Sequence, residues 1–250
     1  MTRHSACFRI YAELNDFLPA ERRQREFTYA FDGTPAVKDA VEAMGIPHTE
    51  VDIILVNGRS VDFSHNLRDG DRVAVYPVFE SLDITPLVRL RPEPLRRTAF
   101  IADVHLGKLA RLLRLAGFDT LYRNDLADAE IVRLSLAEQR IILTRDRGLL
   151  KVGAVTHGCF IRSGDPYQQL AQIMQRFDLY GQIRPFHRCL RCNGRVEPVD
   201  KAEITPLLPP RTAQAFDEFT RCRDCGRIYW KGSHWEKLRA RLAALRSSDR

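Results

Sequence analysis

Nowhere does this 250-residue chain string together the roughly 20 apolar residues that a membrane-spanning helix needs, which excludes a helical membrane protein. Its first residues, Met1-Thr2-Arg3-His4-Ser5-Ala6-Cys7, hold no apolar core of a secretory signal, so a cytoplasmic protein is expected. Cysteine is sparse, six residues in all, and without a secretory context the disulfide reading falls away. What is present is ordinary for a globular protein: 44% hydrophobic and 28% charged residues, enough for one large domain or two to three small ones. The balance is basic, +7 with a pI near 9.3, and suits a polyanionic partner. Lys and Arg neutralise phosphates and so supply most sequence-independent affinity for nucleic acid.

Residues 1–80 read as a small α+β unit. Strand patterns fall on Cys7-Phe8-Arg9-Ile10-Tyr11 and Arg25-Glu26-Phe27-Thr28-Tyr29, and a helix on 36–44 is closed by Gly45. Further strands follow at 51–56, ahead of the turn Asn57-Gly58, and at 73–76 after Asp69-Gly70-Asp71. Residues 81–98 form a basic linker, with Pro86, Pro92 and Pro94 among Arg89, Arg91, Arg96 and Arg97.

Residues 99–183 alternate strand and helix in the manner of a parallel sheet. Four apolar runs there close on or just before an acidic residue: Asp103, Asp125, Asp146 and Asp165. Neighbouring parallel strands would gather such carboxylates at one sheet edge, where open α/β sheets bind ligands. Crowded carboxylates repel, and a hard dication such as Mg²⁺ or Mn²⁺ relieves the repulsion. Each acid taken singly also reads as a turn or helix cap, Asp128 above all, and the case for metal rests on the repetition. Asp103, Asp128 and Asp146 are the expected catalytic residues, with Asp125 and Asp165 as further acidic candidates. Thr144 is expected to orient a neighbouring carboxylate.

A helix directly after Asp103 runs to Gly117, with Leu106, Leu109, Ala110 and Leu113 at inward spacing and Lys108, Arg111 and Arg114 nearer the other side. Its start offers free N–H groups and a positive dipole end, so Lys108 and Arg111 are the expected phosphate-binding residues, although Arg111 and Arg114 fit a solvated face equally well.

Residues 184–250 carry two matched pairs, Cys189-Leu190-Arg191-Cys192 and Cys222-Arg223-Asp224-Cys225, which read as a four-thiolate Zn²⁺ site. Four thiolates leave no open coordination position, so the zinc is structural. The 29 residues between the pairs exceed the usual spacing of about 15 to 20, and an inserted loop around Pro206-Leu207-Leu208-Pro209-Pro210 is expected. Cys7 and Cys159 stand alone in strand-like runs and read as buried thiols. Gly232-Ser233-His234-Trp235 starts a terminal helix; Tyr229, Trp230 and Trp235 suit either base stacking or packing, and His234 either phosphate contact or structure.

Several of these motifs together resemble the mut-seven C-terminal RNase domain family. They are Ile101-Ala102-Asp103, the run from Leu106 to Arg114, Gly117-Phe118-Asp119-Thr120, Ile142-Leu143-Thr144-Arg145-Asp146, the knuckles, and Tyr229 to Trp235. The resemblance implies an α/β PIN-like domain with a parallel sheet, fused to a C-terminal zinc ribbon. It also implies RNA cleavage with Mg²⁺ or Mn²⁺ held by three or four acidic residues. Asp103 and Asp146 match the first and third acidic positions, Asp128 is taken as the second, and Ser163-Gly164 sets Asp165 apart from the fourth. The N-terminal segment resembles the ubiquitin-like β-grasp domain that often precedes this RNase domain in bacterial proteins. It is also similar to small sulfur carriers, but Pro77-Val78-Phe79-Glu80 stands where those end in Gly-Gly, so a binding or positioning module with a protein partner is expected. A metal-dependent ribonuclease acting on RNA is the reading; a noncatalytic RNA-binding adaptor is the alternative.

Overall fold

The computed structural model describes residues 4–77, 90, 98–185, 187–232, 236 and 240. Almost all of the basic linker and most of the expected terminal helix, with His234 and Trp235, lie outside the described residues. The N-terminal elements are β1 (His4–Ile10), β2 (Glu26–Phe31), α1 (Val37–Ala43), β3 (Val51–Val56), β4 (Arg59–Val61) and β5 (Arg72–Pro77). Their sheet runs β2-β1-β5-β3-β4, with β1 and β5 parallel and the other pairs antiparallel, which is a ubiquitin-like β-grasp domain.

Local chemistry dictates this arrangement. Along β1 the inward residues Ala6, Phe8 and Ile10 alternate with more exposed ones, the period-2 signature of a strand with one buried face. Val37, Ala40 and Val41 recur at helical spacing on α1 and complete the core with Leu14, Ile46, Ile54 and Leu67. Asn57 and Gly58 both hold positive φ, 52° and 80°, as a two-residue hairpin of type I′ requires. The Asn57 side-chain amide donates to Asp71 at 2.8 Å and so ties the hairpin to the start of β5.

The part from Ala99 onward is built on parallel strands. Its elements are β6 (Ala99–Ala102), α2 (Gly107–Leu115), β7 (Asp119–Leu121), α3 (Asp128–Glu138), β8 (Ile141–Thr144), α4 (Arg147–Leu150), β9 (Gly158–Phe160) and α5 (Pro166–Arg176). β6 pairs with β7 and β8 with β9, both parallel. Every residue of β6 and of β8 is buried, as expected of parallel strands covered on both faces. Then come β10 (Val196–Val199), α6 (Lys201–Ile204), α7 (Pro210–Ala215), β11 (Phe219–Cys222) and β12 (Ile228–Trp230), in which the three strands form an antiparallel sheet. The segment between the cysteine pairs is not the expected loop. It folds as α6, a 3-10 turn at Thr205–Leu207 and α7, because its apolar residues Ile204, Leu208 and Phe216 find a small core against Phe219 and Trp230.

Two compact units emerge, each drawing on two stretches of sequence: Met1–Arg97 with Asp125–Ile161, and Thr98–Asn124 with Arg162–Arg250. In the first, the β-grasp domain is packed against the stretch that carries α3, β8, α4 and β9. Phe160 joins the β-grasp core, its ring centroid 5.2 Å from that of Phe17, and the Arg147 guanidinium lies 5.0 Å and 5.5 Å from those two rings. The Glu50 carboxylate accepts from the Phe160 N–H at 2.7 Å. His48 is held between Glu42 at 2.6 Å and the Val155 carbonyl at 2.8 Å.

In the second unit, Leu106, Leu109, Ala110 and Leu113 are buried as their spacing demands. Gly117 ends the helix at φ 102°, where any Cβ would also collide with the Arg184 carbonyl, so two independent constraints select glycine. Arg114, placed by helical spacing on the outer side, is instead 3% exposed. Likewise Leu136, one of the apolar residues of α3, is exposed, and Ile131 and Ser135 form its buried side. Among the described residues no helix is long and apolar enough to cross a membrane.

Candidate functional site

The expected acidic residues fall in both compact units. In the second unit Asp103 follows β6 and is buried, and its carbonyl accepts from the Leu106 N–H at 2.8 Å. A 3-10 turn, Val104–Leu106, intervenes, so α2 begins a turn later than the sequence pattern implied. Asp165 caps α5, accepting from the Tyr167 and Gln168 N–H groups at 3.0 Å and 2.9 Å. In the first unit Asp146 caps α4 through the Gly148 N–H at 2.7 Å, and the buried Thr144 hydroxyl accepts from the Asp146 N–H at 2.9 Å. Thr144 therefore fixes the backbone of Asp146. Asp128 is the exposed first residue of α3, whose cap position is Ala127, and Asp125 lies exposed just ahead of that helix.

The second unit also holds a basic cleft of about 1030 Å³. One wall is the first turns of α2 with Lys108 and Arg111, another the start of α5, and a third the two cysteine knuckles with Arg191 and Arg227. Tyr122 and Tyr229 line it as well, and no acidic residue does. Gly107 leaves room for the Tyr122 ring, whose hydroxyl donates to the Val104 carbonyl at 3.1 Å. Lys108 and Arg111 were legible as phosphate ligands. Arg191 and Arg227 were not, although their signal was in view, one inside the first knuckle and one just after the second.

Cys189, Cys192, Cys222 and Cys225 bring their sulfurs within 4.8 Å of one another. The pairs Cys189–Cys225 and Cys192–Cys222 stand 3.6 Å and 3.5 Å apart. A disulfide needs about 2.05 Å, whereas four thiolates around one zinc at bonds of about 2.3 Å stand about 3.8 Å apart, so the set fits tetrahedral metal. The two knuckles repeat one backbone pattern. Asn193 N–H donates to Cys189 O and Gly226 N–H to Cys222 O; Cys189 N–H donates to Gly194 O and Cys222 N–H to Arg227 O. Asn193 and Gly226 both sit at positive φ, 69° and 70°. A Cβ on Gly194 would strike Asp224 and crowd the Cys222 sulfur.

Burial disfavours the Cys189 thiolate, yet the Cys192 N–H, the Tyr229 hydroxyl and the Arg191 N–H outweigh it and bring its pKa down to about 6. Burial, reinforced by the three neighbouring thiols, pushes Cys192 up to about 12. Tyr229 stands 3.0 Å from the Cys189 sulfur and accepts from the Leu190 N–H at 3.1 Å, and burial followed by that sulfur raises its own pKa.

A buried polar network fastens the first knuckle to α2 and β7. Arg114 donates to the carbonyls of Thr120 at 2.9 Å, Leu190 at 3.2 Å and Arg191 at 3.0 Å. Asn193 accepts from the Thr120 N–H at 3.0 Å and donates to Asp119 at 2.7 Å, while Arg188 pairs with the other Asp119 oxygen at 3.0 Å. Burial lowers the Arg114 pKa, and Cys189, Cys192 and Asp119 oppose that shift. Arg114→Met keeps much of the volume but leaves those carbonyls without donors. It is expected to cost roughly 3 kcal/mol and to lower Tm by several degrees in thermal denaturation.

Comparison with known proteins places this architecture. A family model described as the Mut7-C RNAse domain matches residues 98–242, and one described as Mut7-C ubiquitin matches residues 3–83. Among solved structures, SAMP1 from Haloferax volcanii is similar at 22% identity and a TM-score of 0.25, over 31% of this chain and 98% of that one. No curated protein matches. The first match spans more than half of the sequence: the chain belongs to the Mut7-C RNAse domain family, with a Mut7-C ubiquitin domain ahead of it.

Proposed function

We propose that this protein is a PIN-like, metal-dependent ribonuclease that hydrolyses RNA phosphodiester bonds in the cytoplasm. The observation that carries the reading is the membership of residues 98–242 in an RNase domain family. The chemistry of the donors supports it. Asp103, Asp128 and Asp146 offer hard oxygen ligands, and two of them follow the C-terminal ends of parallel strands, β6 and β8. When bound there, Mg²⁺ or Mn²⁺ supplies an acidified water and neutralises charge on the phosphate. The chain's own residues do the rest. The three carboxylates hold the ion, Thr144 keeps Asp146 in place, and Lys108 and Arg111 hold the phosphate of the strand. Asp125 and Asp165 are reserve ligands, and the capping bonds of Asp165 already occupy one of its oxygens.

The four cysteines form a structural zinc ribbon in this reading, closed to substrate. The β-grasp domain is a positioning module that also presents a surface to a protein partner.

Purified protein is expected to cut single-stranded RNA with added Mn²⁺, to stop in EDTA and to resume when Mn²⁺ is restored, read on denaturing gels. Intact RNA under all three conditions, with binding retained, would favour the RNA-binding adaptor.

A further inference from the structure

The geometry points to the basic cleft of the second unit as the seat of a single-stranded nucleic acid backbone, with the two cysteine knuckles supplying half of its phosphate ligands through Arg191 and Arg227. This rests on the ribonuclease reading for its substrate and adds to it a wall that the acidic residues do not explain.

Charge is the first argument. Lys108, Arg111, Arg191 and Arg227 are exposed around one cavity, and none of the four forms an ion pair among the described residues. Elsewhere on the same cysteine-bearing sheet, exposed arginines are neutralised: Arg221 lies 3.6 Å from Glu203, and Arg223 pairs with Glu197. Unpaired cations converging on a cleft without carboxylates store repulsion that a polyanion relieves.

Shape and rigidity are the second argument. At about 1030 Å³ the cleft is at the upper limit of small-molecule pockets, and its openness to solvent suits a chain that passes through. Arg191 belongs to a loop whose own carbonyl is held by the buried Arg114, and Arg227 to one whose carbonyl accepts from Cys222. The backbones that carry both cations are therefore fixed before any ligand arrives, which lowers the entropy lost on binding. Guanidinium groups favour paired contacts to phosphate oxygens, so the cleft reads the backbone and ignores the sugar.

The test uses the full chain with its zinc, in buffer free of Mg²⁺ and Mn²⁺ so that nothing is cut. Fluorescein-labelled oligouridylate and oligodeoxythymidylate of roughly 12 nucleotides are titrated by anisotropy across a salt series. Both strands are expected to bind within about threefold of each other. The double variant Arg191→Gln with Arg227→Gln should weaken both by about tenfold or more and flatten the log–log salt dependence by about 1.4, for two lost phosphate contacts. Arg191→Lys with Arg227→Lys should keep most of the affinity. Arg221→Gln with Arg223→Gln removes the same charge outside the cleft and should change little.

Equal losses in the two Gln pairs, no loss in either, or a preference beyond tenfold for one sugar would overturn the proposal. If binding behaves as stated but added Mn²⁺ leaves the bound RNA whole, the cleft stands and the ribonuclease reading fails. Cleavage by a protein whose binding ignores Arg191 and Arg227 sinks the cleft alone.

Discussion

Replacing Asp103 by Asn is expected to abolish Mn²⁺-dependent RNA cleavage, by about a thousandfold or more, while the thermal unfolding curve stays where it was. The substitution keeps shape and one oxygen and removes the charge. Asp103 is 5% exposed, directly after four consecutive buried residues of β6, so its ionised form is carried at a desolvation cost that an amide would not incur. A carboxylate kept there for folding alone would be better replaced by Asn; one kept for a dication cannot be, because the amide oxygen lacks the charge that offsets the dehydration of the ion. A thousandfold loss corresponds to roughly 4 kcal/mol of transition-state stabilisation. Measuring kcat/KM on single-stranded RNA with Mn²⁺, alongside Tm, checks both halves. Full activity in the variant would remove Asp103 from the metal site. Asp165→Asn gives the contrast: Asn caps helices as well as Asp does, so a residue that merely caps α5 should tolerate the change.

Where a pattern depends on neighbours in sequence, it was legible. The hairpin at Asn57-Gly58, the helix ended by Gly117 and the alternation along β1 each follow from a backbone preference or a period that one stretch of chain contains. The cysteine knuckles were legible for the same reason, since a C-x-x-C loop makes its own turn. Long-range electrostatics was not. Helical spacing assigns Arg114 to the solvent side, and only partners more than 70 residues away, the carbonyls of Leu190 and Arg191, make its burial favourable. The helices between the knuckles were hidden by Pro206, Pro209 and Pro210, which read as loop formers but here stand at helix starts, where a missing N–H costs nothing. Asp119 and Asn193, now central to the knuckle's attachment, carried no sequence signal beyond their type.

The boundary between the β-grasp domain and the rest was read from prolines and charge, and its energetic meaning leads to the other large effect. A chain trimmed to residues 98–250, which holds the whole RNase family match, is expected not to fold as a soluble, cooperatively unfolding protein. The stretch 125–161 completes its packing only against residues upstream of 98. Phe160 would lose the β-grasp core, a burial worth roughly 2–3 kcal/mol, and Arg147 would lose the ring of Phe17, worth about 1 kcal/mol. The polar pins at Glu50 and His48 would go with them. Together these rival the whole margin of a typical domain, about 5–15 kcal/mol. The trimmed chain should aggregate, or bind ANS and lack a sharp thermal transition. The element at stake carries Asp146 at the start of α4, next to the Arg147 that the β-grasp domain clasps, so the N-terminal domain is a structural part of the proposed nuclease. A trimmed protein that stays monomeric, melts sharply and cuts RNA would show instead that the ubiquitin-like domain is a detachable adaptor.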